Sequence, residues 1–174
     1  CDTPQEVQKL IFEKNKVNNK ARMVAGYCWD WIKEGKNNPN IHDIQIGDFA
    51  MSWNLGSSST WAIDSDSVNE IGCIHTCQGL EFDYVGVIIG EDLRYDNGIV
   101  TDFTKRARTD QSIKGLKGLY KKDKEKALDI ADTIIKNTYR TLLTRGQKGC
   151  YIYCVDKDLE IYLTDRLKQR HLTQ

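Results

Sequence analysis

The run "YVGVIIG", residues 84–90, limits the fold more than any other stretch of this chain. A strand with one face in water alternates apolar and polar residues, but Val85, Val87, Ile88 and Ile89 carry no polar side chain between them. Such a strand needs ladder partners on both sides and cover on both faces, so it belongs inside a mostly parallel sheet flanked by helices. "KGCYIYCV" (148–155) is a second run of this kind, and "EIGCIHT" (70–76) reads as a third strand. Between them lies the clearest helix, 123–144, where Ala127, Leu128, Ala131, Ile134, Ile135, Tyr139, Leu142 and Leu143 form one stripe and Gly146 is a natural stop. Strands alternating with helices over 174 residues define one α/β layered domain.

The remaining elements are shorter. Val7, Leu10 and Ile11 stand at helical spacing in 4–14, with Pro4 suited to a first turn, and "NKVNNKA" breaks that pattern. "RMVAGYCW" (22–29) reads as a strand, "KEGKNNPN" (33–40) as a loop, and "IQIGDFAMSW" (44–53) as short strands before the loop "GSSS" (56–59). "LRYDNGIVTD" (93–102) is expected to be a hairpin, because Asp96-Asn97-Gly98 offers residues that tolerate positive φ. Residues 102–123 read as a surface insertion, and "DLEIYLTDRLKQRHL" as a closing helix.

Charge and composition exclude little. Lys plus Arg number 25 and Asp plus Glu number 25, so net charge selects no partner, although a neutral total can hide a local basic face. No run reaches the roughly 18–20 apolar residues of a membrane span, and "CDTPQEVQKL" is neither a signal core nor a start at Met. These features predict a soluble piece of a longer protein. The cysteines fall as Cys73-x3-Cys77 and Cys150-x3-Cys154, with Cys1 and Cys28 apart. Zinc knuckles usually space their thiols by two residues, so reduced thiols, no metal and a cytoplasmic setting are expected.

Two stretches carry candidate chemistry. In "HTCQGLE" (75–81) the chain places His75, Thr76 and Gln78 after an apolar run, turns at Gly79, and offers a carboxylate at Glu81. Ligands of open parallel sheets bind beyond the carboxyl ends of strands, and this stretch reads as such an end. A plain polar turn would account for it equally. In "NTYRTLLTRGQKG" (137–149), Arg145 stands at the carboxyl end of the long helix. A cation there complements the helix dipole, and its planar fork also matches phosphate oxygens.

Together the two stretches resemble superfamily 1 helicases. "CIHTCQGLEFDYVGVIIG" is similar to their motif V, and "YRTLLTRGQKGCYIYC" to the motif VI helix that bears the arginine finger. "ARMVAGYCWDW", "IGDFAMSWN", "WAIDSDSVNEIGCIHTCQGLEFDYVGVIIGEDLRY", "RARTDQSIKGLK" and "NTYRTLLTRGQKGCYIYC" more closely resemble the bacterial domain-of-unknown-function family 2075, a Schlafen-type helicase-like group, over about residues 20–156. The resemblance implies a RecA-like fold, specifically the second lobe of a P-loop NTPase, because the phosphate loop Gly-x-x-x-x-Gly-Lys-Ser/Thr is missing. By the same resemblance Arg145 is the catalytic finger. Gly79, Glu81, Gln78 and Arg22 face the nucleotide, with Glu81 on the ribose, and His75 and Thr76 lie near a nucleic-acid strand. ATP and Mg²⁺ then belong to the full-length protein, with none bound to this piece. Its partners are the missing amino-terminal lobe and nucleic acid, and no membrane.

Other readings remain open at this level. "VGVIIGED" is superficially like a Walker B strand, but without a phosphate loop it reads as a sheet strand ending in solvated acids. Asp83, Glu91 and Asp92 could serve a metal-dependent nuclease, although the Asp…Glu-x-Lys arrangement is absent. The domain could also be a protein-interaction module with idle ATP residues. Lys105, Arg106, Arg108, Lys114, Lys117, Lys121 and Lys122 in the insertion form a cluster that could meet phosphates or stay solvated.

Overall fold

The computed structural model describes residues 1–32, 38, 40–54, 60–77 and 79–171. The loops expected at 33–40 and 56–59 fall almost wholly outside them. The elements, in order, are α1 (Pro4–Asn18), β1 (Ala21–Ala25), β2 (Ile44–Ile46), β3 (Phe49–Trp53), β4 (Glu70–Gly72), α2 (Ile74–Cys77), β5 (Phe82–Ile89), β6 (Leu93–Tyr95), β7 (Ile99–Thr101), α3 (Leu116–Lys122), α4 (Lys124–Leu143), β8 (Gly146–Cys154) and α5 (Lys157–His171).

Six strands form one sheet in the order β2-β3-β4-β1-β5-β8, and only β2 runs antiparallel to its neighbour. This mostly parallel sheet flanked by helices is consistent with a RecA-like fold. The apolar run that opened the sequence is β5, central between β1 and β8. Val85, Val87 and Ile89 face the core shared with Ile135, Tyr139 and Leu142 of α4. Ile88 faces the other core, with Val7 and Ile11 of α1. Both faces are covered, as the absence of alternation requires. Gly86 lets α1 approach the sheet, because a Cβ there would lie 2.6 Å from Val7 Cγ1 and 2.8 Å from Ile11 Cγ1.

Local signals set several ends. Thr3 Oγ1 accepts from the Glu6 amide and caps α1, which runs past the expected break at residue 14 because Asn19 closes it in the left-handed conformation. The hairpin forms as expected, with Asn97 at φ 52° and Asp96 N–H bonded to the Gly98 carbonyl. On α4, Ala127, Ala131, Ile135, Tyr139 and Leu142 are buried, whereas Leu128 is exposed. Thr138, absent from the apolar stripe, is buried and bonds the Ile134 carbonyl.

Three expectations need correction. β4 stops at Gly72, and residues 74–77 form a helical turn rather than more strand. Residues 102–123 are not a simple surface excursion: Phe103, Arg106, Ala107, Asp110 and Leu116 are buried. The acids after β5 are not both solvated. Glu91 is exposed and pairs with Lys105 at 2.8 Å, but Asp92 is fully buried. Asp92 accepts from the Tyr139 hydroxyl and from Arg106 Nη1 at 3.1 Å. Arg106 also pairs with Asp110, and the Tyr139 oxygen accepts from the Gly90 amide at 2.9 Å. The two carboxylates outweigh burial and hold the Arg106 pKa above its ordinary value.

All six cysteines are free thiols. No helix among the described residues is long and apolar enough to cross a membrane.

Tyr139→Phe is expected to lower the unfolding free energy by about 1–3 kcal/mol, because the Gly90 amide and Asp92 would each lose a buried partner. Urea unfolding checks this, with an unchanged m-value. Burial pushes the Cys77, Cys150 and Cys154 thiols up to about 12. A raised folded-state pKa gives stability that is complete below the unfolded thiol value of about 8.5 and is lost as pH rises toward the folded values. Stability measured across pH 7 to 12 is therefore expected to hold and then fall above about pH 9, and the fall should shrink in Cys150→Ala.

Candidate functional site

Residues 73–81 connect β4 to β5, two parallel strands on either side of β1. Parallel strands must be entered from the same edge, so this connection returns from the carboxyl edge of the sheet to its amino edge. It has room to do so only because β4 is short. The stretch that reads as one strand end in the sequence is thereby divided. His75 and Thr76 remain at the carboxyl edge, just after β4. Gly79, Leu80 and Glu81 arrive at the amino edge, just before β5. Gln78 lies outside the described residues.

The amino edge brings Arg145 to Gly79 and Glu81. Arg145 follows the end of α4 and precedes β8, with its amide on the Leu142 carbonyl at 3.2 Å. Its guanidinium folds back so that Nε donates to the Thr141 carbonyl at 3.0 Å and Nη1 to the Leu80 carbonyl at 3.2 Å. Nη2 reaches Thr144 Oγ1 at 3.5 Å. In return the Phe82 amide donates to the Arg145 carbonyl at 2.9 Å, so the segment before β5 and the end of α4 are tied in both directions. A guanidinium has five N–H donors, so two on Arg145 remain without an acceptor among the described residues. Glu81 is exposed and also without a partner among them. Gly79 has φ +81° with open space where a Cβ would stand, so its glycine is required by backbone conformation, not by crowding. Asp83, at the same edge, is engaged by Lys148 Nζ at 2.8 Å and Asn18 Nδ2 at 2.7 Å, which hold its pKa below the usual range.

Arg22 is placed differently. It is fully buried and lies under the sheet's amino edge. Nε donates to Ser67 Oγ, Nη1 to Asn15 Oδ1 and to the Asn19 and Ala21 carbonyls, and Nη2 to Asn19 Oδ1 and the Asp64 carbonyl. Every donor is engaged within the chain, so in this structure Arg22 joins α1, β1 and the 3-10 turn Ser65–Asn69 and presents nothing outward. Burial lowers its pKa despite Asp64 and Glu70.

At the carboxyl edge, His75 is exposed and meets the Tyr27 ring edge-on at 6.4 Å. Thr76 Oγ1 donates to Asn54 Oδ1 at 2.9 Å. Tyr27 stacks on Trp53 at 5.7 Å, and Trp53 on Trp31 at 5.9 Å, which makes this edge stiff and aromatic. Asn54 directly follows β3 and Tyr27 lies two residues past β1, at the edge where ligands of parallel sheets gather, but neither carries a signal of its own in the sequence. The Leu80 carbonyl has no sequence signal, since every residue has one.

The nuclease arrangement does not assemble. Asp83 is the second residue of β5 and Glu91 and Asp92 follow its end, so at about 3.3 Å per residue they stand roughly 26–30 Å from it. Among the described residues no group of three or more His, Cys, Asp or Glu side chains could hold a metal ion.

The fold defines an α/β domain with a mostly parallel sheet, and comparison with known families makes it helicase-like. Residues 1–156 match the model of the family described as Schlafen group 3, DNA/RNA helicase domain, and the chain belongs to that family. It is 29% identical over 163 residues to the uncharacterized protein YPL245W of Saccharomyces cerevisiae, across 87% of this chain. The chain spans 33% of that relative's length. No solved structure matches it.

Gly79→Ala is expected to destabilise the domain by about 1 kcal/mol through φ alone, with no steric clash. Urea unfolding of Gly79→Ala against Gly86→Ala checks this: the crowded Gly86 site should lose clearly more.

Proposed function

We propose that this chain is the carboxyl-terminal RecA-like lobe of a helicase-like ATPase, and that it completes an ATP site shared with an amino-terminal lobe. The observation that carries the reading is the 3.2 Å bond from Arg145 Nη1 to the carbonyl of Leu80, the residue between Gly79 and Glu81. It joins a guanidinium with free donors, an exposed carboxylate and an open glycine turn on one edge. Membership in the Schlafen group 3 helicase family supports the same reading.

The residues fit the two ends of a nucleoside triphosphate. The two unengaged donors of Arg145 suit a pair of phosphate oxygens, and the Glu81 carboxylate suits the adjacent hydroxyls of a ribose. Gly79 leaves the space between them free of a side chain. The chain has no phosphate loop, and its described residues offer no metal cluster. The reading therefore assigns the grip on the β- and γ-phosphates and Mg²⁺ to the other lobe. ATP supplies the phosphoryl group; Arg145 neutralises the charge that develops on it, and acts most strongly in the transition state. Glu81 holds the sugar equally in ground and transition states. At the carboxyl edge, His75 and Thr76 face a nucleic-acid strand.

In the full-length protein, Arg145→Ala is expected to lower kcat on the order of 10³-fold or more, with a much smaller change in nucleotide affinity. Arg145→Lys should recover little, because an ammonium lacks the planar fork. Glu81→Ala should weaken nucleotide binding with kcat nearly intact. Steady-state hydrolysis and a separate nucleotide-binding assay distinguish these effects. The isolated chain should not hydrolyse ATP. If Arg145→Ala lost affinity alone, the residue would be a ground-state anchor and the finger role would fall.

A further inference from the structure

We infer that the cleft between the β6–β7 hairpin, the 3-10 turn Phe103–Lys105, α3 and α4 binds single-stranded nucleic acid and extends the contact surface begun by His75 and Thr76. This rests on the reading that the domain meets nucleic acid.

The cleft has a volume of about 480 Å³ and is lined in part by Arg94, Phe103, Lys117, Tyr120, Lys121 and Leu128. Its acid is already engaged. Asp102 Oδ1 accepts from the Thr104 amide and hydroxyl at 2.9 and 2.6 Å, and Oδ2 lies 3.8 Å from Arg94. Of the neighbouring cations, Lys105 is neutralised by Glu91 at 2.8 Å, and Arg106 is buried between Asp92 and Asp110. Lys117 and Lys121 have no ion pair among the described residues. They stand four apart on one face of α3, where like charges repel, so an anion between them relieves a repulsion the fold leaves in place.

Charge alone would suit any polyanion. The apolar surface inside the basic rim selects among them. Leu128 is 40% exposed and Tyr120 37% exposed, although both are large and apolar and lie beside lysines. Tyr120 leans on buried Phe103 at 5.8 Å, and Lys124 Nζ lies 5.7 Å from its ring centroid. Phosphates need no such surface, but an unstacked base does, and a duplex hides its base faces. The cleft is also joined to the His75 edge. The Ala107 amide donates to the Tyr27 carbonyl at 2.8 Å, Thr109 Oγ1 donates to the Tyr27 hydroxyl at 3.4 Å, and Tyr27 touches His75. Between the two regions the Arg108 side chain is 84% exposed while its Nε is held by Asp30. A strand crossing residues 103–122 would thus run from one region to the other over a packed surface.

The test is fluorescence anisotropy of this chain with labelled 12-residue oligo-dT and oligo-U over a KCl series. The double variant Lys117→Ala/Lys121→Ala is expected to weaken binding roughly tenfold and to flatten the slope of log K against log[KCl] by about 1.4, near 0.7 per lost phosphate contact. Tyr120→Ala should weaken binding roughly fivefold or more without changing the slope, and Tyr120→Phe should bind as wild type. Circular dichroism confirms that each variant is folded. Oligonucleotide binding with an unchanged affinity and slope in the double variant overturns this inference and leaves the nucleic-acid reading standing. Displacement of the oligonucleotide by polyglutamate at equal charge concentration overturns the choice of ligand. No binding by the wild-type chain overturns both the inference and the reading it rests on.

Discussion

Asp92 is a carboxylate with no access to water, and the end of β5, α4 and residues 103–110 meet around it. One oxygen takes the Tyr139 hydroxyl from α4, and the other takes Arg106 from the segment after the hairpin. Asp110 then binds the far side of Arg106. Removing one member of such a buried pair typically costs about 3–5 kcal/mol, because the remaining charge keeps its desolvation penalty without its partner. Four constraints follow. β5 must end just before Gly90, whose amide meets the same hydroxyl. Gly26 cannot carry a side chain, since a Cβ there would collide with Tyr139. α4 must sit in the register that delivers Tyr139, and residues 103–110 must fold back over the sheet. Beside them, burial pushes the Cys28 thiol and the Tyr139 phenol well above their ordinary pKa values, so neither contributes a further charge.

That network stands at the carboxyl edge of the sheet and holds α4 through Tyr139 in its last turns, and the arginine proposed as the finger follows the same end of the helix. The carboxyl-terminal part of the helix is therefore held twice, by the buried charge network at Tyr139 and by the segment before β5 at Arg145. Arg145 lies six residues beyond Tyr139 in sequence, and its backbone carbonyl and guanidinium both bond that segment. Because α4 packs along the sheet, the position of Arg145 is set by the core rather than by a surface loop. In the proposed shared site this matters, since a guanidinium meant to meet charge developing on a phosphoryl group acts best when already positioned.

The connection from β4 to β5 places parts of one short stretch at the two opposite edges of the sheet. His75 and Thr76 stay beside Asn54 and Tyr27, while Gly79 and Glu81 cross to Arg145. The two edges are joined by the connection that contains the short α2, which packs against β1, β4 and α4. Nucleotide and nucleic acid, in the proposed function, would then address opposite edges of one sheet through the same segment.

The apolar pattern alone determined the layered α/β class. Continuous apolar residues in 84–90 and 148–155 required cover on both faces, and the stripe on 123–144 required a helix to provide it. The Asn97-Gly98 turn was legible because positive φ has a residue signature. The order of "HTCQGLE" and "LLTRGQKG" was enough to nominate Glu81 and Arg145 through resemblance. Tertiary structure decided what the charged residues do. Asp92 and Glu91 are adjacent acids, yet one is buried and one exposed, because Arg106 arrives from beyond the hairpin to pair with the first. Arg22 reads as a cation able to face a ligand, but Ser67, Asn15, Asn19 and the Asp64 carbonyl enclose it. The division of residues 75–81 between two edges follows from strand order, which no local pattern encodes. Periodicity reports a residue's own burial need, whereas the fate of a charge depends on partners brought near only when distant segments pack.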